Sequence, residues 1–289
     1  MSIDLTDFIL FQCCRFGLFN PAIVYDHLGE IFSALIIGSF IFCILLYIKG
    51  HVAPSSTDSG SSGDAIIDFY WGMELYPRIG KSFDIKVFTN CRFGMMSWAV
   101  LTVTYCIKQY EEYGRVADSM LVSSILMLVY VTKFFLWEAG YWNTMDIAHD
   151  RAGFYICWGC LVWVPSVYTS PAMYLVRHPI SLGLKLSLGI LIGGIVCIFI
   201  NYDCDRQRQL FRKTNGNYLI WGRPPSKIEA SYETVSGEKH EQRFTYLSAL
   251  HLKERYASYL MDLCYKKPES CWVALFVADK LYGREIKLL

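Results

Sequence analysis

Residues 31–48, IFSALIIGSFIFCILLYI, run for eighteen positions without a charge, a Pro or an amide side chain, and Lys49 closes the run. At 1.5 Å of rise per residue such a helix just covers the roughly 30 Å hydrocarbon core of a bilayer. The run starts too far along the chain, behind acidic Asp26 and Glu30, to read as a cleaved leader. A chain carrying it is constrained to helices, because lipid leaves no partner for an open strand or an irregular loop.

Four further apolar runs follow, at residues 93–107, 119–137, 152–176 and 186–200. Lys133 interrupts the second of these, and Pro165 and Pro171 break the third. The expected fold is therefore all-α: a polytopic transmembrane helical bundle of about five spans with a polar C-terminal segment. Composition agrees, since 54% of the 289 residues are hydrophobic and 18% charged, against about 25% charged in soluble domains. A net charge of +1 removes the electrostatic case for binding nucleic acid.

The division expected along the chain is an N-terminal segment at 1–30, a membrane core at 31–200, an aqueous segment at 201–237 and a tail at 238–289. Residues 54–63, PSSTDSGSSG, have the composition of a flexible linker. Residues 201–243 carry eight Lys/Arg and six acids, a basic excess that favours the cytosolic side. Leu252, Tyr256, Tyr259, Leu260 and Leu263 fall on one face of an expected amphipathic helix. The eleven cysteines are scattered, and Cys157-Trp-Gly-Cys160 sits inside an apolar run with no second pair. They read as small apolar residues, and no metal is expected.

Chemistry can reside in four places. Asp146, His149 and Asp150 stand at i, i+3 and i+4 between two apolar runs, with Glu138 just before them. On a helix the three share a face, and a carboxyl buried there can serve as a proton donor; a hydrated loop in which Arg151 pairs with Asp150 fits the spacing equally. Residues 68–78 crowd aromatics, Asp68, Glu74, Pro77 and Arg78 together, with Glu74 and Arg78 spaced for an i,i+4 ion pair. Tyr168 follows Pro165 inside a span, where a kink opens either a pocket or a packing fault. Arg208 and Arg212, one turn apart behind the last span, can clamp a phosphate or reach lipid headgroups. No dinucleotide-binding or phosphate-binding glycine loop and no serine-nucleophile or zinc-protease signature occurs.

DFYWGMELYPRIG, FLWEAGYWNTMDIAHDRAGF, LVWVPSVYTSPAMYLVRHP and DCDRQRQLFRKTNG followed by LIWGR resemble, in this order, the membrane-bound sterol reductase family. The resemblance is to its Δ7-reducing branch as found in plants, and runs from about residue 19 to 237. It implies a multi-pass protein of the endoplasmic reticulum membrane that reduces the C7–C8 double bond of a Δ5,7-sterol with NADPH. The implied steps are protonation of the alkene and hydride capture of the cation.

By motif position the resemblance carries Arg208, Arg212 and Trp221 over as cofactor contacts, with Asp205 standing where many relatives have Asn. Glu138, Asp146, His149, Asp150 and Tyr168 are its candidate acids and pocket groups. Implied partners are the sterol substrate, membrane lipids and other sterol-biosynthesis enzymes. Residues 1–14 and the region after Gly237 depart from the family pattern, whose Ser-Gly-Trp-Trp-Gly stretch and closing spans are expected there but absent. The sequence therefore reads as a relative truncated or altered at both ends, either active or an inactive sterol-binding partner of the full-length reductase.

Overall fold

A computed structural model describes residues 20–55, 59–148, 150–214, 217–219, 226–233 and 239–246. They fall into two compact units that divide between Phe199 and Ile200.

The first unit is helical. Helix α1, Leu28–Val52, extends the apolar run by a turn at its start and beyond Lys49 at its end. Ser39, Cys43, Leu46 and Gly50 form its buried stripe, spaced four, three and four residues apart. Ile37, Ile41, Leu45 and Ile48 remain exposed, as a lipid-facing surface requires. A short helix α2, Ala65–Trp71, is capped by Asp64, whose Oδ1 accepts from the N–H groups of Ile66 (2.8 Å) and Ile67 (3.2 Å). The two-residue strands β1, Arg78–Ile79, and β2, Phe83–Asp84, pair antiparallel.

From Ile85 the chain is helical without a break to Tyr113. A first turn, Ile85–Val87, leads into a π-helical stretch, Phe88–Gly94, and then into α3, Met95–Tyr113. Helix α4, Asp118–Leu136, returns antiparallel. Two single-turn helices follow, α5 at Glu138–Tyr141 and α6 at Met145–Ala148.

The run around the two prolines then forms α7, Phe154–Trp158, a second π-helical stretch, Gly159–Tyr168, and α8, Ser170–Arg177. Pro165 is absorbed rather than exposed as a break. Hydroxyls satisfy carbonyls around it, Ser166 Oγ donating to Val162 O (2.5 Å) and Thr169 Oγ1 to Pro165 O (2.6 Å). Helix α9, Leu184–Lys213, completes the set and continues into the second unit.

Five helical runs thus stand where five spans are expected. Three of them, α1, α4 and Leu184–Phe211 of α9, are long and apolar enough to cross a bilayer. Helix α3 is long enough, but its last two turns carry Lys108, Glu111 and Glu112, and the 154–177 run is assembled from short pieces. Two cores hold the first unit. One gathers Leu28, Leu101, Tyr105, Met120, Ala172 and Val176; the other gathers Cys43, Leu46, Ile85, Ala152, Ile156 and Cys157.

In the second unit, strands β3, Ser226–Glu233, and β4, Lys239–Tyr246, form an antiparallel hairpin, with Ser226 opposite Tyr246 and Glu233 opposite Lys239. An all-helical reading does not include it. The amphipathic helix expected around residues 252–263 lies outside the described residues.

Candidate functional site

Two of the motif segments meet backbone to backbone. Trp71-Gly72 lies against Ala152-Gly153, and the Ala152 N–H donates to Glu74 O at 2.8 Å. Their aromatic side chains then stack in register. Phe69 lies over Phe154 (5.6 Å between centroids), and Trp71 is parallel to Tyr155 within 6° at 5.8 Å. The approach brings three buried acids, Glu74, Asp68 and Asp150, into one neighbourhood of the fold.

Glu74, 2% exposed, is bound by Lys49 at the end of α1 (Nζ–Oε2 2.7 Å) and by the Ser55 N–H. The i,i+4 pair expected between Glu74 and Arg78 does not form. Lys49 wins because α1 delivers it beside a carboxylate that burial has stripped of water, while Arg78 meets Ser55 through its backbone N–H (2.9 Å).

Asp68 accepts from the Ser61 hydroxyl and from the Ser62 N–H (2.7 Å). Gly60 O accepts from Arg151 (2.6 Å). The Ser/Gly segment expected to be a free linker is therefore tied down where it is described, because its small hydroxyl and amide groups satisfy these buried charges. Arg151 is used here.

The Ser61 hydroxyl, then the Ser62 N–H, hold the Asp68 carboxyl below its usual range. A lowered carboxyl stabilises the fold above the unfolded value of about 3.9, and that contribution is lost as pH falls through the lowered value. Asp68→Asn is expected to lower the melting temperature by a few degrees at neutral pH and to flatten the acid limb of stability. Equal acid sensitivity in the two proteins would refute this.

Asp150 is 1% exposed. Its Oδ2 accepts from the Tyr155 hydroxyl at 2.9 Å. Behind it stands Lys86, fully buried, whose ammonium donates to Ile147 O (2.8 Å) and Asp150 O and lies 5.3 Å over the Tyr76 ring. One cation thereby holds both ends of the turn from Ile147 to Asp150.

Helix α6 ends at Ala148, and Asp150 lies in a bend beyond it. Asp150 therefore lies off the single helical turn that carries Asp146. The Asp146 side chain and His149 lie outside the described residues.

Glu138 is paired with Arg92 at 2.9 Å, and Tyr168, 42% exposed, packs its ring 5.1 Å from that of Trp98. Lys86, Arg92 and Trp98 are six residues apart on one unbroken helical stretch, so their partners Asp150, Glu138 and Tyr168 are spread along it at roughly 9 Å intervals. The structure does not gather these three candidates into one cluster. It pairs the buried Asp150 with the half-buried Tyr155.

On α9, Arg208 donates to Asp205 (2.9 Å) and Arg206 to Asp203 (2.9 Å). One N–H of Arg208 serves Asp205; a guanidinium has five donors, and among the described residues no other acceptor takes those of this half-exposed group. That donor chemistry fits a nucleotide phosphate. The Arg212 side chain and Trp221 lie outside the described residues.

Tyr155, Lys49 and Lys86 contact these acids or their backbone, and sequence reasoning missed them. A Tyr five positions beyond Asp150 is a weak signal, and neither Lys has any local signal, since their partners come from other segments.

Residues 2–248 match the family described as the ergosterol biosynthesis ERG4/ERG24 family. The chain is 83% identical over 223 residues to a 7-dehydrocholesterol reductase of Arabidopsis thaliana, covering 77% of this chain and 52% of that protein. It is 38% identical over 230 residues to a 7-dehydrocholesterol reductase of Danio rerio, covering 79% and 48%. A Delta(14)-sterol reductase of Methylotuvimicrobium alcaliphilum is 31% identical over 221 residues, covering 76% and 51%. The chain spans about half the length of these curated relatives. Its ordered motifs, its helical membrane architecture and the family match agree: the chain belongs to the ERG4/ERG24 family of sterol reductases.

Proposed function

We propose that this chain carries out, or forms part of a protein that carries out, reduction of the C7–C8 double bond of Δ5,7-sterols. NADPH is the reductant, and the reaction takes place in the endoplasmic reticulum membrane. The observation that carries this reading is the 83% identity to the Arabidopsis 7-dehydrocholesterol reductase. The stretch in question includes the segments at 68–80 and 138–155 that pack into the buried acid site.

The chemistry needs a proton for the alkene and a hydride for the resulting cation; bound NADPH supplies the hydride. Asp150 is the acid we assign. It is buried, its Oδ2 is held by the Tyr155 hydroxyl, and its backbone is fixed by Lys86, so the carboxyl is oriented before substrate arrives. Asp146 and His149 flank it in sequence. Glu138, bound to Arg92, braces the adjoining turn, and Tyr168 and Trp98 offer an aromatic wall for a flat apolar ring system. Arg208, with Arg212 four and Trp221 thirteen residues further along, would hold the phosphate end of the cofactor. Other sterol-biosynthesis enzymes are the partners consistent with a substrate that stays in the bilayer.

Expression of this chain in cells that accumulate a Δ5,7-sterol tests the reading, with conversion to the Δ5 product followed by mass spectrometry. Conversion is expected. Stable, membrane-located protein without conversion would overturn the activity for this chain and leave a non-catalytic sterol-binding relative. Asp150→Asn is expected to lower turnover by about 100-fold or more, the usual share of a general acid. Tyr155→Phe should lower it less, since it removes only the orienting hydroxyl. Wild-type rates in Asp150→Asn would remove Asp150 from the mechanism.

A further inference from the structure

An apolar groove of about 340 Å³ runs along α1 beneath the β1–β2 hairpin. Ala34, Gly38 and Phe42 form its floor, spaced four residues apart on one helix face, so the floor follows roughly 12 Å of the helix axis. Ile79, Phe83 and Phe88 form its wall. A Cβ added at Gly38 would meet nothing within 4 Å, so the groove is open where the glycine stands. The one hydroxyl on its floor, Ser39, is already bound to Ile36 O (3.0 Å). Nothing in this lining recognises a polar molecule.

The polar recognition lies on the hairpin beside it. The hairpin that supplies Ile79 and Phe83 also carries Arg78 and Lys81, both exposed. Neither forms an ion pair among the described residues. Glu74 holds Lys49, and Asp84, opposite Arg78 in the hairpin, turns one oxygen to the Val87 N–H (2.9 Å) and forms no ion pair with Arg78 among the described residues. The Arg78 N–H reaches Ser55, three residues beyond the end of α1. That contact places Arg78 beside the segment that leaves α1, while its neighbour Ile79 lines the groove.

We propose that this groove seats one acyl chain of an anionic phospholipid whose phosphate is held by Arg78 and Lys81. The groove's apolar length lies along the helix, as a lipid chain does, and the hairpin beside it carries two exposed cations that form no ion pair among the described residues, as a phosphate requires. A sterol, with a single neutral hydroxyl, would leave both cations unused. Asp150, Tyr155 and Lys86 do not line the groove, and its occupancy does not depend on the sterol reduction proposed above.

The test is native mass spectrometry of the purified chain in mild detergent, titrated with palmitoyl-oleoyl phosphatidylglycerol or with the matching phosphatidylcholine. One phosphatidylglycerol is expected to remain bound, at least tenfold more tightly than phosphatidylcholine. Arg78→Gln combined with Lys81→Gln changes only exposed side chains and should bring phosphatidylglycerol down to the phosphatidylcholine level. Gly38→Leu should fill the groove and lower retention of both lipids. If its melting temperature shows a folding defect, Ala34→Leu on the same face is expected to do the same. Equal retention of the two lipids by the wild-type chain would overturn the proposal. So would unchanged phosphatidylglycerol retention in the double Gln variant, or a groove-filling variant that releases bound sterol while phosphatidylglycerol stays.

Discussion

Replacing Lys86 by Met is expected to destabilise the protein by about 3 kcal/mol and, if the chain catalyses the reduction proposed above, to bring that turnover below detection. Met keeps most of the volume of the lysine stem, so the loss is not one of packing. It is the loss of an ammonium that is fully buried and donates to two carbonyls, Ile147 O and Asp150 O. Each carbonyl left unpaired away from water costs on the order of 1–3 kcal/mol. A charge buried this deeply is tolerated only because those carbonyls and the Tyr76 ring replace its hydration.

The same contacts make the residue a positioning group for Asp150. Freed from Lys86, the turn from Ile147 to Asp150 loses its only cross-braces from the 85–94 stretch among the contacts described, and the carboxyl loses its fixed aim. Lys86→Arg, which keeps the charge and can address two carbonyls at once, should restore part of the stability and a fraction of the turnover. Hydrogen exchange of the amides at 145–152 provides a readout separate from activity. Faster exchange there is expected in Lys86→Met, and unchanged exchange would refute the brace.

The helices were legible because apolar runs report burial or lipid contact directly. The run at 31–48 became α1, and that at 119–137 became α4 nearly to the residue. The acids at 68, 74, 138 and 150 were legible as unusual because charge beside apolar spans is costly unless paired. Their partners were not legible. Glu74 takes Lys49, Asp68 takes the serines at 61 and 62, Glu138 takes Arg92, and Asp150 takes Tyr155.

Three of these are chosen by how segments dock, which local spacing does not encode. The linker was misread for the same reason, since Ser and Gly serve equally in a loose tether and in a strip that satisfies buried charge. The β3–β4 hairpin is a different omission. Ile228, Ala230 and Tyr232 alternate with polar residues at the period of a strand, a signal that the charged character of 201–243 obscured.

Gly72→Ala is expected to prevent folding of the first unit, and Gly153→Ala to do nearly the same. Gly72 has φ +108° and ψ 150°, a conformation that a side chain adopts only under strain. A Cβ there would also lie 2.5 Å from Gly153 N and 2.7 Å from Ala152 C, and one on Gly153 would overlap Gly72 N and Trp71 C. These are backbone atoms, fixed on one side by the stacked pair Trp71 and Tyr155 and on the other by the Ala152 to Glu74 hydrogen bond, so no side-chain rotation relieves the clash.

Gly114 supplies the control. It too has a positive φ, +68°, at the end of α3, but a Cβ there would meet nothing within 4 Å. Gly114→Ala should therefore show only the backbone cost, about 1–2 kcal/mol, and should yield folded protein in detergent with a lowered melting temperature. The contrast isolates the close approach from the dihedral. If Gly72→Ala melted as Gly114→Ala does, the two segments would not be in backbone contact, and the buried acid site built on that contact would fall with it.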